Sequence, residues 1–340
     1  MEGALTRSRD KILPSLGIFL VAGGFLVFGW FAYLWLKPEP APYRYQLVDE
    51  GGVGKFVNLG LGAWPDLKIS KYEVRVESVD KPIAVAYRAA RGDAKPVLLN
   101  WENFISEPIG FIDSNLSDLT TVATEIAKHV PKDAVVLAWW DTSLQVGLLA
   151  GCDTLFTSHI GEPMIASSNW KGREDTIKRY EQEFWGNPAP DEENRKFQRF
   201  ADALAAESDK GVRLLRELAG AREAYVVVHV TDLYKLGLMR PERLDMAFKD
   251  FPLTGNVHGL AAQVKAWMRN NGYEAYTLQS LSERMVRAYF IREGENSKTL
   301  LSQMLPFMDR TPLELQALRP IYNHGGYWVY KIPPAQPTSN

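Results

Sequence analysis

Residues Leu16 to Leu36, LGIFLVAGGFLVFGWFAYLWL, form 21 consecutive positions without a charge. At a rise of about 1.5 Å per residue, one helix of that length crosses a hydrocarbon layer roughly 30 Å thick. Trp30, Phe31, Tyr33 and Trp35 gather toward one end, where amphipathic rings settle at the lipid–water boundary, and Lys37 closes the run. No second run of this kind follows. The sequence therefore predicts a single-pass transmembrane helix over 16–36, with the lipid bilayer as its first partner and one large water-soluble portion behind it.

The run is longer than the ~7–15 residues of a signal-peptide core, and the following KPEPAP offers no A-x-A cleavage pattern, so the anchor is expected to stay. Arg7, Arg9 and Lys11 precede it; Lys37 and Arg44 follow. This bias, with a short leading tail, predicts residues 1–15 in the cytoplasm and the bulk translocated. Cys152 is the only cysteine, which excludes an intramolecular disulfide, a C-x-x-C-H haem attachment and a thiolate metal cage within one chain. His129, His159, His229, His258 and His324 are scattered without an H-x-x-x-H or H-E-x-x-H pair. No metal and no cofactor are expected. With 39 basic residues against 41 acidic ones, no basic excess points to nucleic acid as a partner.

The three prolines of 37–43, KPEPAPY, predict a stiff extended stalk, and 333–340, PPAQPTSN, a flexible tail. Between 44 and 110, segments such as LKISKYEVRVESV alternate as half-buried strands do, between Gly, Asp and Pro punctuation. This predicts a small antiparallel β region. Beyond it the period changes: Leu119, Val122, Ala123, Ile126 and Val130 mark an amphipathic helix stopped by Pro131. AVVLAWW (134–140) then reads as a buried strand, TSLQVGLLAG as a helix and CDTLFTS as a short strand, which is βαβ grammar. Surface helices are expected over Arg173–Trp185 and Glu192–Ala219. AYVVVHV (224–230) is a second buried strand, and Leu260, Val264, Trp267 and Met268 mark another helix with Asn256 as its N-cap. YEAYTLQSL, RMVRAYFIRE and the closing YWVYKI complete the strands. The expected fold class is α/β: one transmembrane helix, a small β-rich region, then an α/β domain over 111–332 with a mixed, largely parallel sheet.

The glycine clusters EGGVGKF and GLG lack the spacing of a phosphate loop and read as turns. The chemically informative segment is Trp139-Trp140-Asp141-Thr142-Ser143. Asp141 follows a buried strand and opens a helix, at the carboxyl edge of a parallel sheet where ligands of open α/β folds gather. Its carboxylate is placed to accept from Thr142, Ser143 or an incoming hydroxyl, or simply to cap the helix. If the strand continues, Trp139 and Trp140 face opposite sides, so at most one is core. The loop 158–175 adds His159, Glu162 and Arg173, with Lys171, as further binding candidates near this edge; loops of that kind carry binding residues disproportionately often. His229, within YVVVHV, is expected to be a buried, hydrogen-bonded strand residue. No catalytic residue is assigned.

The Trp-Trp-Asp tripeptide resembles the W-W-D-Y-G motif of the soluble domain of oligosaccharyltransferase catalytic subunits, with Thr142 and Ser143 in place of Tyr and Gly. Those enzymes hold catalytic carboxylates on a many-helix membrane domain, which this chain lacks. A second resemblance spans far more. The anchor, proline stalk, WWD segment, NWKGREDTIKRYEQEFWG and closing HGGYWVYKI are together similar to the HaoB family of hydroxylamine-oxidation proteins, encoded beside a multihaem hydroxylamine oxidoreductase in ammonia- and methane-oxidising bacteria. The resemblance implies a non-catalytic accessory tethered to the bacterial inner membrane, with its bulk in the periplasm. Its expected partner is hydroxylamine oxidoreductase or another periplasmic redox protein. The alternative is a ligand- or glycan-binding module, or an enzyme, using a cleft formed by Trp140, Asp141 and His159.

Overall fold

The computed structural model describes residues 6–36, 40–186, 188–253, 257–293, 298–308 and 317–334. Residues 1–5 of the expected cytoplasmic tail, 37–39 of the stalk, the expected cap Asn256 and 335–340 of the expected tail lie outside the described residues. The apolar run forms one helix, α1 (Thr6–Leu36), whose segment Leu16–Leu36 is long and apolar enough to cross a membrane. Its large side chains are exposed, Phe19 at 80% and Trp35 at 89%. An apolar surface of that size is rare on proteins that meet only water. Residues 42–340 form a separate compact unit.

That unit opens with four strands joined by turns, β1 (Arg44–Gly52), β2 (Leu67–Arg75), β3 (Ala84–Arg91) and β4 (Val97–Asn103), each antiparallel to the next. β2 is not the half-buried strand the alternation in 67–79 suggests: Leu67 and Ile69 on one face and Tyr72 and Val74 on the other are all buried, in two separate core clusters. Asn115 then caps α2 (Leu116–His129), its side chain accepting the Ser117 amide. Leu119, Val122, Ala123 and Ile126 are fully or almost fully buried, as the 3.6-residue period requires, and they pack against Ile69, Val85 and Leu99 of the meander.

The central sheet is mixed and has five strands, β5 (Val135–Leu137), β6 (Asp153–Thr154), β7 (Ala224–His229), β11 (Arg319–His324) and β12 (Tyr327–Ile332), in the order β11-β12-β7-β5-β6. β5 lies parallel to both neighbours, whereas β12 is antiparallel to β7 and β11. All six residues of β7 are buried because both faces of the sheet are covered. Val136, Tyr225 and Val227 face α2 and the meander. Leu137, Val226 and Val228 face α5 (Asp191–Ala205) and α6 (Ser208–Ala219).

The helix expected across Glu192–Ala219 is thus two helices, because Ala206 and Glu207 are extended and turn the chain back. Both are amphipathic, so sequence period alone does not reveal the break. Four elements escaped the sequence reading: α7 (Asp232–Met239), β8 (Leu244–Pro252), the five-residue α9 (Leu300–Met304) and β11. The two helices are too short to display a period. β8, β10 (Met285–Glu293) and β9 (Ala275–Ser282) form a second, antiparallel sheet in that order, onto which α8 (Val257–Asn270) packs Leu260, Val264 and Met268.

Candidate functional site

β5 and β7 run parallel as neighbours, with Val135 opposite Ala224 and Leu137 opposite Val226, so the segments following them emerge side by side. Each leads into a helix with aspartate in its first turn: Asp141 in α3 (Trp140–Ala150) and Asp232 in α7. Between them sits Lys235, 7% exposed. Its Nζ lies 2.8 and 3.0 Å from the two Asp141 carboxylate oxygens and 3.2 Å from Asp232 Oδ1. It also stands 5.6 Å from the Trp139 ring centroid. Burial alone would pull the ammonium down, but the two carboxylates outweigh it and hold Lys235 above its ordinary value. Asp232, 1% exposed, is pushed up by burial and by the neighbouring Asp141 charge, against the pull of Lys235. Its Oδ2 accepts the backbone amide of His229 at 2.9 Å.

His229 completes this buried group. Nε2 lies 3.3 Å from the Gly325 carbonyl, which can only accept, so Nε2 carries the proton and Nδ1 accepts the Thr231 hydroxyl at 2.8 Å. It is the buried, hydrogen-bonded strand residue the sequence suggested. Burial pushes its pKa down to about 3, with the Lys235 charge adding to the effect.

Asp141 does not cap α3. The N-cap is Trp139, whose carbonyl accepts the Ser143 amide at 2.7 Å, and Asp141 is the second residue of the helix, accepting the Thr142 amide at 2.7 Å. The Ser143 hydroxyl donates to the Ala138 carbonyl instead, at 3.1 Å. Nor do the two tryptophans divide between faces. β5 ends at Leu137, so the two-residue alternation stops before Trp139, and both indoles are buried, at 1% and 4% exposure. Both N–H groups donate to one acceptor, the Glu162 carbonyl, at 3.3 and 2.7 Å. The Glu162 carboxylate accepts from Lys178 at 2.6 Å and Gln198 at 2.9 Å, which ties the 158–175 loop to α4 (Glu174–Trp185) and α5. Arg173 is the N-cap residue of α4 and lines neither of the cavities beside Asp141.

Those cavities flank the carboxylate. One, about 20 Å³, is bounded by Asp141, Thr142, Gln145, His229, Lys235 and Tyr327 and has room for a water-sized group. The other, about 310 Å³, is lined by Trp140, Asp141, Leu144, His159, Trp185 and the start of β4. His159 is 5% exposed, stacks on Trp185 with ring centroids 5.4 Å apart, and meets Trp140 edge-on at 4.5 Å. Trp185 in turn donates to Glu181 at 2.8 Å, a buried carboxylate that also accepts the Tyr43 and Tyr45 hydroxyls. Sequence reasoning missed Lys235, Asp232, Glu181 and Trp185. A signal for Asp232 exists: like AVVLAWWD, the segment AYVVVHVTD is a buried strand followed by aspartate.

Burial pushes the His159 pKa down to about 3, with Asp141 pulling it partly back. A folded-state pKa below the unfolded value means that the unfolded chain takes up protons first. The contribution of His159 to stability is therefore complete above about pH 6.5 and is lost as pH falls toward 3, at roughly 1.4 kcal/mol per pH unit. His229 acts in the same window and direction. Asp113, Glu181 and Asp232, all raised by burial, act oppositely as pH rises through their folded values. Urea denaturation of wild type and His159→Phe between pH 7 and pH 5 should show the variant with the shallower acid loss, by about one proton. Equal slopes would mean that the imidazole titrates in the folded protein as it does in water.

A family model described as HaoA-associated protein HaoB matches residues 9–332, nearly the whole chain, including most of α1 and all of the central sheet. No curated protein matches the chain. The sandwiched mixed sheet, the preceding meander and the apolar helix all lie within one family match, and the chain belongs to the HaoB family of HaoA-associated proteins.

Proposed function

We propose that this protein is a single-pass, membrane-anchored periplasmic accessory of hydroxylamine oxidation that binds HaoA, the multihaem hydroxylamine oxidoreductase, and turns over no substrate itself. The observation that carries the reading is the HaoB match over 9–332, which takes in the apolar helix together with the soluble unit. In this reading residues 16–36 cross the bacterial inner membrane and the unit 42–340 stands in the periplasm. A tether of that kind raises the effective concentration of two partners that meet at one surface. The non-catalytic part is supported by the electrostatics of the site. Asp141 is held by Lys235 and the Thr142 amide, and Glu162 by Lys178 and Gln198.

The test is an affinity pull-down of the detergent-solubilised full chain from native membranes, read by mass spectrometry and by the visible spectrum of the eluate. HaoA is expected to co-elute and to bring its haem absorption. A colourless protein eluting alone at mild salt would count against the partnership.

A further inference from the structure

The larger cavity beside Asp141 joins three features. Its volume, about 310 Å³, is in the range of small-molecule sites. Its walls are aromatic and aliphatic: Trp140, Trp185, Leu98 and Leu144. Its polar side chains are Asp141, His159, Thr157 and Lys95, and the first two offer acceptors. The Asp141 carboxylate is 14% exposed, and its Oδ2 takes one hydrogen bond, from Lys235, leaving lone-pair capacity. The His159 imidazole, buried and stacked on Trp185, makes no hydrogen bond to any described residue, and as a neutral ring it offers one acceptor and one donor nitrogen. A buried polar side chain without a partner is costly unless something supplies the missing bond.

We infer that this cavity binds a small planar aromatic molecule carrying an O–H or N–H donor, its ring held among Trp140, Trp185 and Leu144 and its donor directed to Asp141 and His159. An anion set against the Asp141 carboxylate is disfavoured, because like charges in a site sheltered from water repel more strongly than in bulk, and Lys95, also on the cavity wall, already has a partner of its own. A ring without a donor would displace water from both acceptors and return nothing to them. This inference is independent of HaoA binding, so either can fail alone.

The test is a titration of the full-length protein in detergent, followed by tryptophan fluorescence and ligand-detected NMR, with phenol, anisole and benzoate as probes. Phenol is expected to bind saturably, and anisole and benzoate at least tenfold more weakly. Leu144→Phe, which fills the cavity from α3, should abolish phenol binding while the urea midpoint shows the protein folded. His159→Phe should weaken phenol at least tenfold, and an unchanged phenol affinity in the folded variant would overturn the assignment. Absence of saturable phenol binding, equal binding of phenol and anisole, or phenol affinity unchanged in folded Leu144→Phe would each overturn the assignment. If His159→Phe fails to fold, the Leu144→Phe arm and the phenol–anisole comparison still decide it.

Discussion

Lys235→Met is expected to destabilise the unit 42–340 by about 3–5 kcal/mol, the cost of removing one partner from a buried ion group and leaving the other charges uncompensated. Asp141 and Asp232 would then face each other across the carboxyl ends of β5 and β7 with no cation between them; Asp232 is 1% exposed and Asp141 little more accessible. Urea denaturation at pH 7 measures the loss directly. The sharper version adds Asp141→Leu and Asp232→Leu to Lys235→Met. That triple variant should recover most of the stability, since apolar groups of similar volume replace a buried ion group at little net cost. A loss below about 1 kcal/mol for Lys235→Met would indicate that water reaches the group and that the three charges are held as loosely as surface pairs.

Trp139→Ala should cost a comparable ~3–5 kcal/mol, by a different route. The indole is 1% exposed and packs edge-on against Phe197 at 5.2 Å and Phe200 at 6.3 Å, so its removal opens a cavity where β5 turns into α3. It also removes a hydrogen bond to the Glu162 carbonyl and the ring beneath the Lys235 ammonium. Trp139→Phe separates the contributions, since it keeps most of the volume and loses the N–H. Thermal unfolding of the two variants should place Trp139→Phe well above Trp139→Ala. Near-identical melting temperatures would show that the hydrogen bond, rather than the packing, carries the effect.

The candidate site was half legible from sequence. Asp141 announces itself because a charged residue directly after AVVLAWW has few places to go except the edge of a sheet. Lys235, its partner, stands 94 residues away on a helix of eight residues. Nothing local marks it, because a lysine in TDLYKLGLM looks like any solvated helix lysine until the strand before it is placed beside β5. The two tryptophans were misjudged for a related reason. Alternation is a property of strands, and the chain leaves the strand two residues before Trp139. His159 stands out from its loop only by residue type; its burial against Trp185 depends on how α4 packs back onto the loop, which neither segment's sequence states.

What the sequence determined by itself are the features that act within one segment. The 21-residue apolar run, the strand over 67–75, the period of α2 with its Asn115 cap and the buried strand β7 are each consequences of neighbouring residues and the backbone between them. Tertiary structure alone decided which strand ends became neighbours, where a continuous helical pattern broke at Ala206–Glu207, and which charges were buried together. The physical reason is range. Local pattern is set by steric and hydrogen-bonding preferences over a few residues. Burial of Lys235 between Asp141 and Asp232 is a balance of desolvation against Coulomb attraction that exists only once β5 and β7 lie side by side.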